Sequence, residues 1–192
     1  MAYQYDAFFS YKRDRESDKW HEVVKNKLEF WLRLELQRED VRIFFDTEVI
    51  GPGKKWRKEI VSALKQSRCI ICVWSPLYFQ SKWCYSEWMT FVRREEMANR
   101  GLVMPASFHD GESFPPAAKE TQFLDFSPFA NTMPKYWETD DAVQFQPLLQ
   151  QFAHALADMI RNAPPFDEGF PVVELPDNEI PPEKMIERPA NG

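Results

Sequence analysis

The stretch Ser81–Trp88, SKWCYSEW, sets an indole and a carboxylate four positions apart, at Trp83 and Glu87. On a helix, that spacing puts both on one face. A carboxylate so placed can stabilise a developing positive charge and accept hydrogen bonds, while the ring can stack on a flat ligand and exclude water. The simpler account of Glu87 is a surface glutamate facing solvent or meeting Arg93 or Arg94, since charged side chains are mostly exposed. Trp83 taken alone reads equally well as a core tryptophan, and Trp88 and Phe91 read as core more readily still. Capping does not explain Glu87: with Ser81 as N-cap, the capping-box partner is Cys84.

The other reactive side chains carry less. Cys69 and Cys72 form a C-x-x-C spacing inside SRCIICVWSP. That run reads as a strand, where an odd offset sends the two thiols to opposite faces, so a redox pair or shared metal is not expected. Three cysteines, all in or beside apolar runs, fit free thiols in a reducing cytoplasm. His21 is placed on the exposed side of a first helix, His109 in a loop and His154 in a last helix, with no triad order and no H-x-x-x-H spacing. No metal is expected. GPGKKW, Gly51 to Trp56, invites a phosphate-loop reading, but it lacks the four-residue gap between glycines and the Ser or Thr after lysine.

Composition sets the frame for these residues. A chain of 192 residues that is 44% hydrophobic and 28% charged buries one good core. Its net charge of −6 argues against nucleic-acid binding, which requires a concentrated basic face. No apolar run approaches the ~18 residues of a membrane span. MAYQYDAFFSYKRD lacks the order of a signal peptide, so a cytoplasmic protein with no membrane contact is expected.

The elements that must position Trp83 and Glu87 alternate. Gln4–Ser10 is expected as a first strand, followed by a helix from Ser17 with Trp20, Val24, Leu28, Trp31 or Leu32, and Leu36 in register. Val41–Phe45 is a second strand, Trp56, Ile60 and Leu64 mark a second helix, and RCIICVW is a third, central strand. The helix of Trp83 and Glu87 follows, then strands at Gly101–Ser107 and Thr121–Ser127, and a last helix over about Asp141–Arg161. From Pro164 onward, seven prolines in 29 residues end regular structure. The expected organisation is one domain over residues 1–163 and a Pro-rich extended tail over 164–192. Such alternation predicts a flavodoxin-like, three-layer α/β fold whose five-stranded parallel sheet, ordered 2-1-3-4-5, is flanked by helices. Ligands of such sheets bind beyond the carboxyl ends of strands 1 and 3, here Ser10-Tyr11 and Ser75-Pro76.

Three segments in order resemble the Toll/interleukin-1 receptor (TIR) domain family. YDAFFSYKRD resembles its box 1, and IFFDTEVIGPGKKW its box 2, with the BB loop between Asp46 and Trp56. SALKQSRCIICVWSPLYFQSKWCYSEW resembles its strand C to helix C segment, and the likeness runs from about Tyr3 to Ile160. The family holds both adaptors that signal by assembly alone and enzymes, many of them prokaryotic, that cleave NAD⁺ between nicotinamide and ribose. The enzymes carry a glutamate in helix C, the position of Glu87, with the aromatic at Trp83 lining the pocket.

The resemblance therefore implies an NAD⁺ glycohydrolase, with Glu87 catalytic and Ser10, Tyr11, Lys12, Arg13, Asp46, Ser75 and Trp83 around the substrate. It implies ADP-ribose or a cyclic isomer as product, and a role in immune or antiviral defence or in cell death. NAD⁺ enters as substrate, and no cofactor is implied. One carboxylate suffices, because nicotinamide departs as a neutral molecule from a cation and needs no general acid, unlike the sugar leaving group of ordinary glycosidases. Self-association through the BB loop (Ile50, Gly51, Pro52, Gly53, Lys54) is implied as the switch, with a separate sensor or effector protein as partner. A non-catalytic TIR scaffold is the alternative.

Overall fold

The computed structural model describes residues 2–46 and 56–176. The BB-loop positions Ile50, Gly51, Pro52, Gly53 and Lys54 therefore lie outside the described residues. Elements follow in the order β1 (Tyr5–Tyr11), α1 (Asp18–Leu36), β2 (Ile43–Phe44), α2 (Trp56–Gln66), β3 (Ser67–Trp74), α3 (Pro76–Gln80), α4 (Lys82–Ala98), β4 (Val103–Ser107), α5 (Pro116–Lys119), β5 (Leu124–Asp125), α6 (Asp140–Gln144) and α7 (Gln146–Arg161).

The five strands form one parallel sheet in the order β2-β1-β3-β4-β5, as the alternation of elements predicts. β1 and β3 occupy its middle, paired from Tyr5 against Ser67 to Tyr11 against Val73. Both are buried nearly end to end, which is why their sequences read as continuous apolar runs. β2 and β5 keep two residues each, shorter than their apolar runs suggest.

Helices cover both faces. The stripe Trp20, Val24, Leu28 and Leu32 of α1 is wholly buried, and Phe145, Leu149, Phe152, Leu156 and Ile160 bury the last helical segment beside it. That segment is two helices, α6 and α7, meeting at Phe145 with Pro147 in the first turn of α7, where proline is tolerated. One expectation fails on α1. His21 is not on the exposed side but only 2% exposed, its ring among Phe9, Tyr11, Trp20 and Phe108. A helix lying flat on a sheet buries a wide stripe, and the position beside Trp20 falls within it.

Residues 164–176 form neither helix nor strand, yet run along the domain. The Val173 N–H donates to Thr90 Oγ1 (2.9 Å), the Ser86 hydroxyl to the Glu174 carbonyl (3.1 Å), and Arg57 to the Leu175 carbonyl (2.6 Å). Phe170 and Leu175 are buried. Between this segment and the sheet lies Arg94, fully buried, whose guanidinium donates to the Ser67 and Leu64 carbonyls and sits 4.4 Å and 4.5 Å from the ring centroids of Phe91 and Phe170. Burial pulls its pKa down to about 10, so it remains a cation at neutral pH. Leu175→Ala is expected to lower unfolding stability by about 2 kcal/mol, read by urea denaturation. An unchanged midpoint would show that the segment adds nothing to the core.

Candidate functional site

Glu87 sits one turn into α4, whose N-cap is Ser81: its Oγ accepts from the Cys84 N–H. α3 precedes it, capped by Ser75, whose Oγ accepts from the Tyr78 N–H at 3.2 Å. Two short capped helices after β3 thus fix the directions of Tyr78 and Glu87, and both point back at the carboxyl end of β1. There the Ser10 hydroxyl lies 2.6 Å from Glu87 Oε2 and 2.8 Å from the Tyr78 hydroxyl. With Glu87 ionised, the single Ser10 proton goes to the carboxylate, and Tyr78 donates in turn to Ser10.

Glu87 is 7% exposed. Burial above all, with the nearby charge of Asp46, raises its pKa to about 8, against the opposing pull of the Ser10 hydrogen bond and Arg13. Tyr78 is fully buried and its phenol is pushed well above its usual value, chiefly by burial, so it stays a donor. Beside this group Arg13 Nε pairs with Asp46 Oδ2 at 2.7 Å, and the Tyr11 hydroxyl reaches Asp46 Oδ1 at 3.5 Å. Cys84 Sγ donates to the Tyr11 carbonyl at 3.4 Å, tying α4 to β1. Trp83, 8% exposed, packs against Trp56 with ring centroids 4.3 Å apart.

The structure therefore gathers Ser10, Tyr11, Arg13, Asp46 and Glu87 around the end of β1, with Trp83 one turn before Glu87 on α4 and against Trp56. Lys12 and Ser75 turn elsewhere, to a cavity of about 350 Å³ that they line with His21, Pro76, Leu77 and Phe108, and that does not include Glu87. Two residues in contact with the first group were not foreseen: Tyr78 and, as the ring against Trp83, Trp56. Tyr78 lies five positions beyond Val73 with no periodic signal of its own, and only the capped turn at Ser75-Pro76 marks where it must face. All three cysteines are buried and free; Cys69 donates to the Asp6 carbonyl and Cys84 to Tyr11, and burial raises all three thiols. Among the described residues no cluster of His, Cys, Asp and Glu could hold a metal, and no helix is long and apolar enough to cross a membrane.

The sequence matches the family model described as TIR domain over residues 8–136. It is 30% identical over 99 residues to a Toll-like receptor 4 of Pinctada imbricata, and spans 10% of that receptor's length. The fold is similar to the TIR domain of the Toll-related receptor TRR-2 from Hydra magnipapillata, with a TM-score of 0.53 at 21% identity over 83% of this chain and 100% of the other. It is also similar to a metazoan TIR-STING receptor from C. gigas, solved with 2′,3′-cGAMP, with a TM-score of 0.50 at 18% identity over 79% of this chain and 40% of that one. At these identities the two structures share the fold.

A raised carboxyl pKa costs stability once the unfolded state ionises and the folded state does not. Below the ordinary value of 4.5 both states of Glu87 are protonated and nothing is lost; stability falls as pH rises from there to about 8, then levels. Glu87→Gln is accordingly expected to be more stable than wild type at pH 8, by on the order of a few kcal/mol, with the difference vanishing below about pH 4.5. Equal gaps at both pH values, measured by urea melts, would contradict a buried carboxyl of raised pKa.

Proposed function

The chain belongs to the TIR-domain family, and on that premise we propose that it is an NAD⁺ glycohydrolase acting in defence or cell-death signalling and switched on by TIR–TIR assembly. What carries the reading is Glu87, a buried carboxyl aimed at the carboxyl end of β1 and held there by Ser10. The bond to break joins the ribose C1′ to the nicotinamide nitrogen. Its electron pair leaves with the ring, which departs neutral, and the ribose is left as an oxocarbenium-like cation.

A carboxylate facing that cation stabilises it, the more strongly because the surroundings are dry. The raised pKa of Glu87 serves this purpose: the cationic substrate itself draws the proton off, so the negative charge appears where the positive one develops. Water then attacks C1′ and gives ADP-ribose, its surplus proton passing to Glu87 or to solvent. If a group of the substrate's own attacks instead, the product is a cyclic isomer. Trp83, in its contact with Trp56, forms an aromatic wall, and Arg13 supplies positive charge for the pyrophosphate.

A scaffold without catalysis is the second reading. It draws on Phe30 and Leu34, exposed one turn apart on α1, and on a Glu87 already bonded within its own chain. Nicotinamide release from NAD⁺ at high protein concentration separates the two. Glu87→Gln is expected to lower it by about a hundredfold or more. In wild type, kcat/KM is expected to rise with pH and level above about 8, the ionised form being the active one. Equal release by wild type and variant would remove Glu87 from the chemistry, and no release by either would leave the scaffold.

A further inference from the structure

At the pole of the sheet opposite Glu87, a cavity of about 590 Å³ opens among the residues where the strands begin. Tyr5 starts β1 beside Ser67 of β3, and the Asp6 N–H donates to the Arg42 carbonyl just before β2. At about 3.3 Å per residue, Tyr5 stands about 16 Å from Ser10 along the same strand. The cavity shares no residue with the surroundings of Glu87, and none with the smaller cavity at Lys12 and Ser75. Its volume falls within the range of about 300–1,000 Å³ typical of small-molecule sites.

Its walls concentrate positive charge on a chain whose net charge is −6. Arg38, Arg42, Arg68 and Arg161 line it, against the carboxylates of Asp6 and Asp40. Arg161 is held by Asp158 at 2.7 Å and by the Glu35 carbonyl. Asp6 organises the others: it is 5% exposed, accepts from Arg38 and from the Arg42 N–H (3.0 Å), and lies 3.6 Å from Arg68 Nε. Asp40 also accepts from Arg38, at 2.9 Å. Two carboxylates are thus taken up by Arg38 and Arg68, and the Arg42 side chain has no hydrogen bond or ion pair among the described residues. Arg68 is fixed further by the Tyr3 ring, its guanidinium 4.7 Å from the ring centroid. A guanidinium already held in place loses little freedom on binding, and its planar N–H donors match the oxygens of a phosphate. Gln4, Tyr5 and Asp40 add groups that suit hydroxyls.

We propose that this cavity is a second ligand site, which binds a sugar phosphate, the phosphate held by Arg42 and Arg68 and the sugar hydroxyls by Gln4, Tyr5 and Asp40. The volume exceeds what a bare phosphate fills, and the polar lining suits a hydroxylated body. The site is independent of NAD⁺ cleavage, since it lies at the other end of the strands from Glu87.

Titration of the isotope-labelled chain with ribose 5-phosphate, followed by amide and arginine side-chain NMR, tests this without any cleavable nicotinamide bond. Saturable shifts at Arg42, Arg68 and Tyr5 are expected. Ribose, which lacks the phosphate, and inorganic phosphate, which lacks the sugar, are each expected to bind at least about tenfold more weakly. Arg42 is exposed, so Arg42→Gln is expected to keep the unfolding midpoint while weakening ribose 5-phosphate by about tenfold. The three ligands on wild type decide the matter even without that variant. Inorganic phosphate or ribose binding as tightly as ribose 5-phosphate would overturn the proposal. So would full affinity in Arg42→Gln, the absence of saturable shifts at millimolar ribose 5-phosphate, or shifts confined to Arg13 and its neighbours at the other pole.

Discussion

Everything in the site depends on the end of β1 lying in the middle of the sheet, where consecutive side chains must serve opposite faces. Ser10 and Tyr11 are neighbours in sequence and partners of different helices: Ser10 meets Glu87 of α4 and Tyr78 of α3, and Tyr11 meets His21 of α1. One strand end therefore builds two environments. On one face a carboxyl is buried with hydroxyl partners; on the other, a neutral imidazole is buried among rings. Both are polar groups removed from water, and each is tolerable only because a specific partner is fixed in place.

For Glu87 that fixing is architectural. An isolated buried carboxylate is expensive, and the protein meets the cost with a high pKa and a hydroxyl partner rather than with a direct ion pair. The cation of the neighbourhood, Arg13, is instead paired with Asp46. This leaves the carboxyl neutral by preference below about pH 8. The rest of α4 is held from behind, by Arg94 on the carbonyls that end α2 and begin β3, and by the segment 164–176 bonded to Ser86 and Thr90 on either side of Glu87.

Sheet order, strand centrality and the helix bearing Trp83 and Glu87 were all legible in the sequence, because continuous apolar runs and helical stripes report burial directly. The partners of Glu87 were only half legible. Ser10 follows from topology, as the end of the first strand, whereas Tyr78 depends on a five-residue helix too short to show a period. His21 was misread because polar character was taken for exposure. Its ring is apolar on both faces and its Nδ1–H finds the Ser17 carbonyl within its own helix, so burial costs it little. The buried part of the segment after Pro164 was illegible for the opposite reason. Phe170 and Leu175 are scattered among prolines with no period, and their partners Arg94, Thr90 and Arg57 are remote in sequence.

Asp46 bears on the ionisation of Glu87 in two ways. Its charge raises the pKa of Glu87, and Arg13, the cation that lowers it, is paired with Asp46 at 2.7 Å. The two effects oppose each other only while the pair is intact. If Asp46 moves away, the repulsion is lost and Arg13 is left to face the carboxyl, so Glu87 ionises more readily. If an anion takes Arg13 instead, the attraction is lost and the proton is held more tightly. Burial sets most of the pKa of this carboxyl, and the position of one aspartate at the edge of box 2 adjusts it.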